Sequence, residues 1–350
     1  MLGGRLRRQA NSAARRSRGT HTLVHMASFI PFALAAAPLA ASWADTQSVL
    51  HPRGEDAARI AEIGWVLYGG AAAIFLATAI LLGMAMHGSK RARRLLGRPG
   101  LIVAAGVAFP VVVLTALLVY ALQAAASLGR GPEPALRIEV VGELWWWRVR
   151  YRGPAGNLLF ETANDIRVPA GVPVEILLRS DNVIHSFWVP SVAGKLDLVP
   201  GRVNRLRVLV PEPGVFRGAC AEYCGAQHAR MMFDMQALAP AHFDQWMAAQ
   251  RRPAEPASAG LRPGERLFQR DCAQCHAVRG TPAAGSAGPD LTHLGSRPRL
   301  AAGVLPNNMG ALAGWIAGSQ HIKPGNLMPA FGQLSGEELR AVAAYVDSLK

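Results

Sequence analysis

The sequence predicts a multidomain chain: a two-helix transmembrane hairpin, then an all-β domain, then an all-α domain. The segments 63–87 and 101–128 contain no Asp, Glu, Lys or Arg, and each exceeds the about 20 apolar residues that span a bilayer. After residue 135 the pattern changes to short β-type runs separated by Gly and Pro. Near the C-terminus, residues 335–349 return to helical periodicity behind a capping-type start.

Residues 1–44 have the pattern of an export signal, with a basic start, an apolar run and small residues before a cleavage site predicted after Ala44. An uncleaved first helix is the alternative, because such apolar runs grade into membrane anchors. The segment 45–130 then holds the hairpin, whose basic loop is expected on the cytoplasmic side. This orientation predicts a multi-pass protein of a bacterial-type plasma membrane, with everything after residue 130 on the outer, periplasmic side.

The formal net charge of +14 would suggest nucleic-acid binding if its distribution were ignored. Six Arg lie in the leader, and five Lys or Arg lie in the hairpin loop at 90–98. Removing these eleven charges leaves +3 for the rest of the chain, so no basic face remains to bind nucleic acid.

The all-β domain is expected over 131–249, as a small β-sandwich or Greek-key barrel. Three successive Trp residues, 145–147, are unusual here, because strand alternation would leave one or two of them facing out. Packing against the membrane hairpin or a partner would account for them as well as a functional role would. The predicted strands are 136–141, 145–151, 166–168, 174–179 and 203–210.

Two thiols, an imidazole and a thioether fall within twelve residues at Cys220, Cys224, His228 and Met231. Soft sulfur and imidazole ligands favour copper, and His185 on an apolar strand upstream could add a second imidazole. A disulfide between the cysteines would leave the His and Met unexplained, and zinc seldom recruits Met. The pattern therefore favours a copper site.

A Pro/Ala-rich linker, 250–261, precedes a final domain over 262–350. Cys272, Cys275 and His276 form the attachment signature for a c-type haem, in which two thiols bond the haem and the His lies beneath the iron. Met328, in a Pro-flanked loop, is the expected sixth ligand, and Met309 is its rival. The alternative is that the two cysteines form a disulfide and that the histidine follows them by chance.

The chain resembles subunit II of haem-copper cytochrome c oxidases from about residue 45 to the C-terminus. The resemblance is carried by the copper loop, the segments 183–190 and 195–202, and the aromatic run 142–147. The resemblance implies a cupredoxin fold for the β domain, a dinuclear copper centre called CuA, and a fused cytochrome c domain. It further implies that Trp145 is the point where electrons enter the copper site and that Glu222 reaches a magnesium ion at the border with subunit I. The CuA ligands implied are Cys220 and Cys224 as bridges, His185 and Met231 on one copper, and His228 and the carbonyl of Glu222 on the other.

The resemblance implies that the chain is the electron-accepting subunit of a cytochrome-c oxidase, with subunit I, subunit III and a soluble cytochrome c or similar donor as partners. Electrons would pass from haem c to CuA and then to the oxygen-reducing centre of subunit I. A CuA-bearing subunit of a nitric oxide reductase and a membrane-tethered copper carrier for assembly are the alternatives. Quinol oxidase subunits lack the copper cysteines. The segment 95–102 lacks the Glu that admits protons in many members, so no residue is assigned to proton uptake.

Overall fold

The computed structural model describes residues 47–129 and 132–350, so the export signal predicted for 1–44 lies outside the described residues. Within them the predicted fold class is confirmed: two apolar helical spans precede a β-sandwich, and a helical domain follows it.

The hairpin is built from helix α1, Glu55–His87, and a second helical stretch that ends at Ser127. Both spans are long and apolar enough to cross a membrane, with mean hydropathies of 2.1 and 2.7. The α1 helix begins before the apolar segment, because Glu55 and Asp56 suit the positive end of a helix and extend it with polar turns. The basic loop between the spans forms α2 (Lys90–Leu96), and the second span, Pro99–Ser127, consists of α3 (Pro99–Val103), a π-helical segment (Ala104–Ala108) and α4 (Phe109–Ser127).

The start of α1 is hydrogen-bonded to the β domain. The backbone N–H of Arg53 donates to the carbonyl of Ser191 at 2.6 Å, and that of Ala57 donates to the carbonyl of Val192 at 3.3 Å. A Cβ on Gly54 would lie 2.1 Å from the Val192 oxygen, so this close approach requires glycine. The membrane helix therefore continues directly from the surface of the β domain.

The β domain is a sandwich of two five-stranded sheets. One sheet has the order β3-β2-β1-β5-β8 and the other β4-β10-β9-β6-β7. Their inner faces enclose one apolar core, in which Trp147 is fully buried between the sheets. The strands are β1 (Leu136–Glu143), β2 (Trp146–Arg152), β3 (Leu158–Ala163), β4 (Asp165–Pro169), β5 (Val174–Ser180), β6 (His185–Trp188), β7 (Leu196–Leu198), β8 (Asn204–Val208), β9 (Gly214–Cys220) and β10 (Met232–Leu238).

Alternation along β1 explains how the first sheet faces the core. Ile138 and Val140 are buried in the core, and Glu139 points to the opposite face. There Glu139 pairs with the guanidinium groups of Arg150 and Arg152 on β2. The carboxylate is thus buried among opposite charges, which a buried ion requires.

Strands β9 and β10, the last two of the second sheet along the chain, were not predicted. The β9 strand contains two glycines, and β10 places Asp234 and Gln236 among its apolar residues, so neither has a long β-type run. Helix α5, Pro240–Arg251, then closes the sandwich with Phe243 and Met247.

The C-terminal domain packs three helices, α6 (Arg262–Asp271), α7 (Met309–Ile322) and α8 (Gly336–Ser348), with a short strand pair β11 (Arg299–Leu300) and β12 (Leu305–Pro306). Helices α6 and α8 cross closely, since a Cβ on Gly264 would lie 2.0 Å from the carbonyl oxygen of Ala341. A capping box between Ser335 and Glu338 begins α8. The segment before α6 is mostly exposed, but Ala254 and Ala257 pack against this domain's core.

Candidate copper and haem sites

The predicted copper ligands come together at one end of the second sheet. His185 begins β6, Cys220 ends β9, and Cys224 and His228 follow in the loop that leads to Met231 and β10. The strands fix this arrangement, because the Ala221 N–H donates to the Ser186 carbonyl at 2.9 Å. His185, Cys220, Cys224 and Met231 are all buried, at 7% exposure or less.

The donor atoms lie at the distances expected for shared metal ions. The two Sγ atoms are 3.7 Å apart. Cys220 Sγ lies 3.9 Å from His185 Nδ1, and Cys224 Sγ lies 3.6 Å from His228 Nδ1 and 3.8 Å from Met231 Sδ. Metal bonds of about 2.0 to 2.3 Å at tetrahedral angles place two donors roughly 3.5 Å apart, so the set fits metal binding without rearrangement.

The carbonyl oxygen of Glu222, the sixth predicted ligand atom, lies 3.1 Å from Cys220 Sγ. Each thiol therefore contacts the other thiol and at least two further predicted donors, as bridging ligands would. The hydrogen bond between the two cysteine side chains lowers the pKa of Cys220 to about 3. The same hydrogen bond raises the pKa of Cys224, so the pair favours one thiolate beside one thiol.

Neighbouring side chains hold the His185 ring. Its Nε2 atom lies 2.9 Å from Asn182 Oδ1, which orients the ring and leaves Nδ1 toward the thiols. A Cβ on Gly142 would lie 2.5 Å from His185 Cδ2, so the imidazole packs directly on the backbone of β1.

Trp145 lies between the copper loop and the haem domain. Its indole N–H donates to the Cys224 carbonyl at 2.8 Å, and its side chain lines the cavity of the C-terminal domain. Gly225 has φ of +111°, and a Cβ there would lie 3.1 Å from the indole, so glycine is required beside it. The three Trp residues thus differ: Trp147 is core, Trp146 stacks on Arg148 and Trp145 contacts the copper loop.

The haem-attachment residues Cys272, Cys275 and His276 line that same cavity, together with Met328. His276 Nδ1 lies 2.8 Å from the carbonyl oxygen of Pro289, which orients the ring, and burial lowers its pKa and favours the neutral form that binds iron. The Met328 carbonyl accepts from Ser319 Oγ at 2.9 Å and from Gln320 Nε2 at 2.7 Å, so its loop is held. Met309, the rival, begins α7 and is not among the described residues that line the cavity.

Arg297 gives an independent test of whether this cavity fits a haem. The side chain is buried, lines the cavity and donates from one terminal nitrogen to the Asp290 carbonyl. Among the described residues its Nε atom has no hydrogen-bond partner. A buried and partly unpaired guanidinium needs an anion, and a haem carries two propionate carboxylates.

Sequence reasoning missed Lys323, the buried lysine at the end of α7. Only 3% of its surface is exposed, and burial lowers its pKa to about 7. A lysine between a helix and a proline is ordinarily solvated, so no local signal marks it. Arg297 was missed for the same reason.

Comparison with known proteins identifies both domains. Residues 151–238 match the family described as "Cytochrome C oxidase subunit II, periplasmic domain", and residues 261–350 match "Cytochrome c". The fold thus joins two helices long and apolar enough to span a membrane to a periplasmic-type subunit II domain and a cytochrome c domain. The chain therefore carries a periplasmic domain of the cytochrome c oxidase subunit II family and, fused to it, a C-terminal domain of the cytochrome c family.

Relatives named "Cytochrome c oxidase subunit 2" include one from Alkalihalophilus pseudofirmus, 40% identical over 215 residues that make up 61% of each chain. Another, from Bacillus subtilis, is 33% identical over 63% of this chain and 64% of its own. These matches span less than two thirds of the relatives' length. A solved structure, the periplasmic domain of subunit II of cytochrome oxidase of Bradyrhizobium japonicum, is 27% identical over 34% of this chain and 96% of its own, with a TM-score of 0.32.

Proposed function

We propose that this chain is the electron-accepting subunit of a cytochrome-c oxidase, which takes electrons at haem c and passes them through CuA to the oxygen-reducing centre of subunit I. The contact of Trp145 with both the copper loop and the haem cavity carries the proposal. No oxygen-reducing site is assigned to this chain, so the complete reaction needs its partner. The names of the relatives favour an oxidase over a nitric oxide reductase.

The copper ligands proposed are six. Cys220 and Cys224 bridge both ions, His185 and Met231 complete one, and His228 and the Glu222 carbonyl complete the other. When bound, this pair would accept and release one electron at a time. The protein holds its donors at one end of a packed sandwich, on two strands and on the loop between β9 and β10, so the donor positions need change little with oxidation state. This rigidity argues against a copper carrier, which needs an exchangeable site.

The haem would be joined to Cys272 and Cys275, with His276 and Met328 as axial ligands. Met/His ligation raises the potential of a haem relative to other ligand pairs. Arg297 would neutralise a propionate within the cavity.

Further parts of the proposal concern the assembly. The chain would sit in a bacterial-type plasma membrane with both domains on the periplasmic side, since the basic residues 90–98 join the two spans. Subunit I, and also subunit III, would contact it, and a soluble cytochrome c would be its donor. The Glu222 side chain, half-buried beside the copper loop, would reach a magnesium ion at the border with subunit I.

Removal of the haem domain tests the proposal. We expect the assembled complex to oxidise a small artificial reductant without added cytochrome c. A chain that ends at about residue 255 should keep its copper and lose this activity. A full-length Cys272→Ala/Cys275→Ala variant controls for the surface that truncation exposes, and it should behave like the truncated chain. Equal turnover by the wild-type, truncated and haem-free complexes would refute the relay.

A further inference from the structure

Lys323 is hydrogen-bonded to both domains, beside the copper loop and the axial-methionine loop. Its Nζ atom donates to the carbonyl oxygens of Trp145 at 2.6 Å and Arg230 at 2.8 Å, both in the β domain. A third bond, at 3.3 Å, goes to Ala301 of the haem domain. An ammonium group has three donor hydrogens, so these three carbonyls use all of them.

The acceptors belong to functional segments. Trp145 carries the indole that contacts Cys224, and Arg230 lies between the predicted ligands His228 and Met231. Lys323 itself begins the loop that leads to Met328. One buried side chain therefore joins the copper loop, the bridging Trp and the axial-methionine loop.

The residues on either side of Lys323 are bound to the copper loop as well. The Gln227 Nε2 atom donates to the Pro324 carbonyl at 2.7 Å, and the Arg230 guanidinium donates to the Ile322 carbonyl at 2.5 Å. Nearby, the Met232 N–H donates to the Ala302 carbonyl at 3.1 Å. These bonds cross between the domains, so the haem domain is docked rather than merely tethered.

We propose that Lys323 is a positioning residue for electron transfer, which locks the axial-methionine loop of the haem domain against Trp145 and the copper loop. This inference rests on the proposed function and assigns a role that neither cofactor motif contains. With both cofactors bound, the step that it supports would be the transfer of one electron from the haem held by the C-terminal domain to the copper pair held by the β domain. No covalent bond changes and no proton moves, so the rate depends on how the two groups are held.

A peripheral lysine would have no such effect. Lys350, at the exposed C-terminus, offers a matched control because it carries the same charge on the same domain. Lys323→Met keeps an unbranched side chain that is one atom shorter and removes all three donors. Lys323→Gln keeps a shorter side chain with two donor hydrogens, so it should give an intermediate effect.

The test uses the full-length chain with both cofactors. The haem is reduced by a flash, and the rate of copper reduction is followed in wild type, Lys323→Met, Lys323→Gln and Lys350→Met. Because the rate of electron transfer falls as donor and acceptor move apart, we expect Lys323→Met to slow the step severalfold. Both reduction potentials and both absorption spectra should stay at wild-type values.

Amide exchange supplies a readout that needs no electron transfer. The Met232 amide should exchange faster in Lys323→Met and at the wild-type rate in Lys350→Met. A wild-type rate of copper reduction in Lys323→Met, or a slower rate explained by altered potentials, would overturn the proposal. If Lys323→Met fails to bind both cofactors, Lys323→Gln is judged by the same criteria. Failure of copper reduction in the wild-type chain would instead refute the relay itself.

Discussion

The indole N–H of Trp145 donates a 2.8 Å hydrogen bond to the carbonyl oxygen of Cys224, while the same side chain lines the cavity that contains Cys272 and His276. One residue thus touches a proposed copper bridge and the proposed haem site. The connection is made by the fold, since these residues are far apart in the sequence and lie in two domains.

Trp145→Phe should slow copper reduction by the haem without removing copper. The substitution deletes the N–H donor and part of the ring that joins the two sites, and we expect a severalfold decrease in the rate. Flash reduction of the haem, with copper absorbance as the signal, measures it. Trp146→Phe is the control, because Trp146 lines the same cavity but packs on Arg148 and, among the described residues, donates no hydrogen bond to the copper loop. Equal effects of the two substitutions would contradict the role given to Trp145.

Metal analysis of the wild-type chain should give two coppers per chain with a mixed-valence spectrum. Cys224→Ser should abolish that spectrum, because a hydroxyl is neither soft nor basic enough to bridge two coppers. Cys275→Ser serves as the reciprocal control and should leave copper intact while weakening haem attachment. One copper, or zinc, in the wild-type chain would exclude the site as proposed.

Met328→Ala should leave the haem covalently attached and lower its reduction potential. Loss of the thioether ligand is expected to shift the potential by on the order of 0.1 V, within the roughly 0.8 V range that axial ligands span. Redox titration of the haem band measures the shift, and Met309→Ala should leave it unchanged. An unchanged potential in Met328→Ala together with a lowered potential in Met309→Ala would assign the axial role to Met309.

Ser335→Ala should destabilise helix α8 by about 1 kcal/mol, as loss of an N-cap typically does. In the capping box the Ser335 N–H donates to Glu338, and this hydrogen bond lowers the pKa of that carboxyl. Its stabilising effect is therefore present above the ordinary Glu pKa and is lost as the pH falls through the lower folded value. Denaturation of the full-length chain between pH 6 and 3, followed at the haem band, should show a pH dependence that Glu338→Gln reduces. An unchanged profile would disprove this contribution.

Much of this architecture can be predicted from the sequence, because its signals are local. Apolar length predicts the two spans, and the spacing of Cys272, Cys275 and His276 predicts haem attachment. The copper loop is an equally local signal. His185 could be added to the predicted ligand set because the loop had already supplied the other ligands. Strands β9 and β10 could not be predicted, since glycine and polar residues interrupt the alternation of apolar side chains and tertiary packing stabilises these strands.

The docking of the two domains is the part that no local pattern predicts. Lys323, Arg230 and Gln227 act through contacts between segments about a hundred residues apart, and each is an ordinary polar residue in its own segment. The sequence predicted only a Pro/Ala-rich linker between the two domains. The structure adds direct hydrogen bonds between the domains, which a tether alone does not require.

The concentration dependence of copper reduction tests the central claim most directly. In the full-length chain the haem is reduced by a flash, and the copper signal is followed over a tenfold or wider range of protein concentration and at low and high salt. If haem and copper in one chain form a docked relay, the rate is first-order, independent of protein concentration and little changed by salt. A rate that rises in proportion to protein concentration, or a reduced haem that leaves the copper oxidised, would contradict the relay.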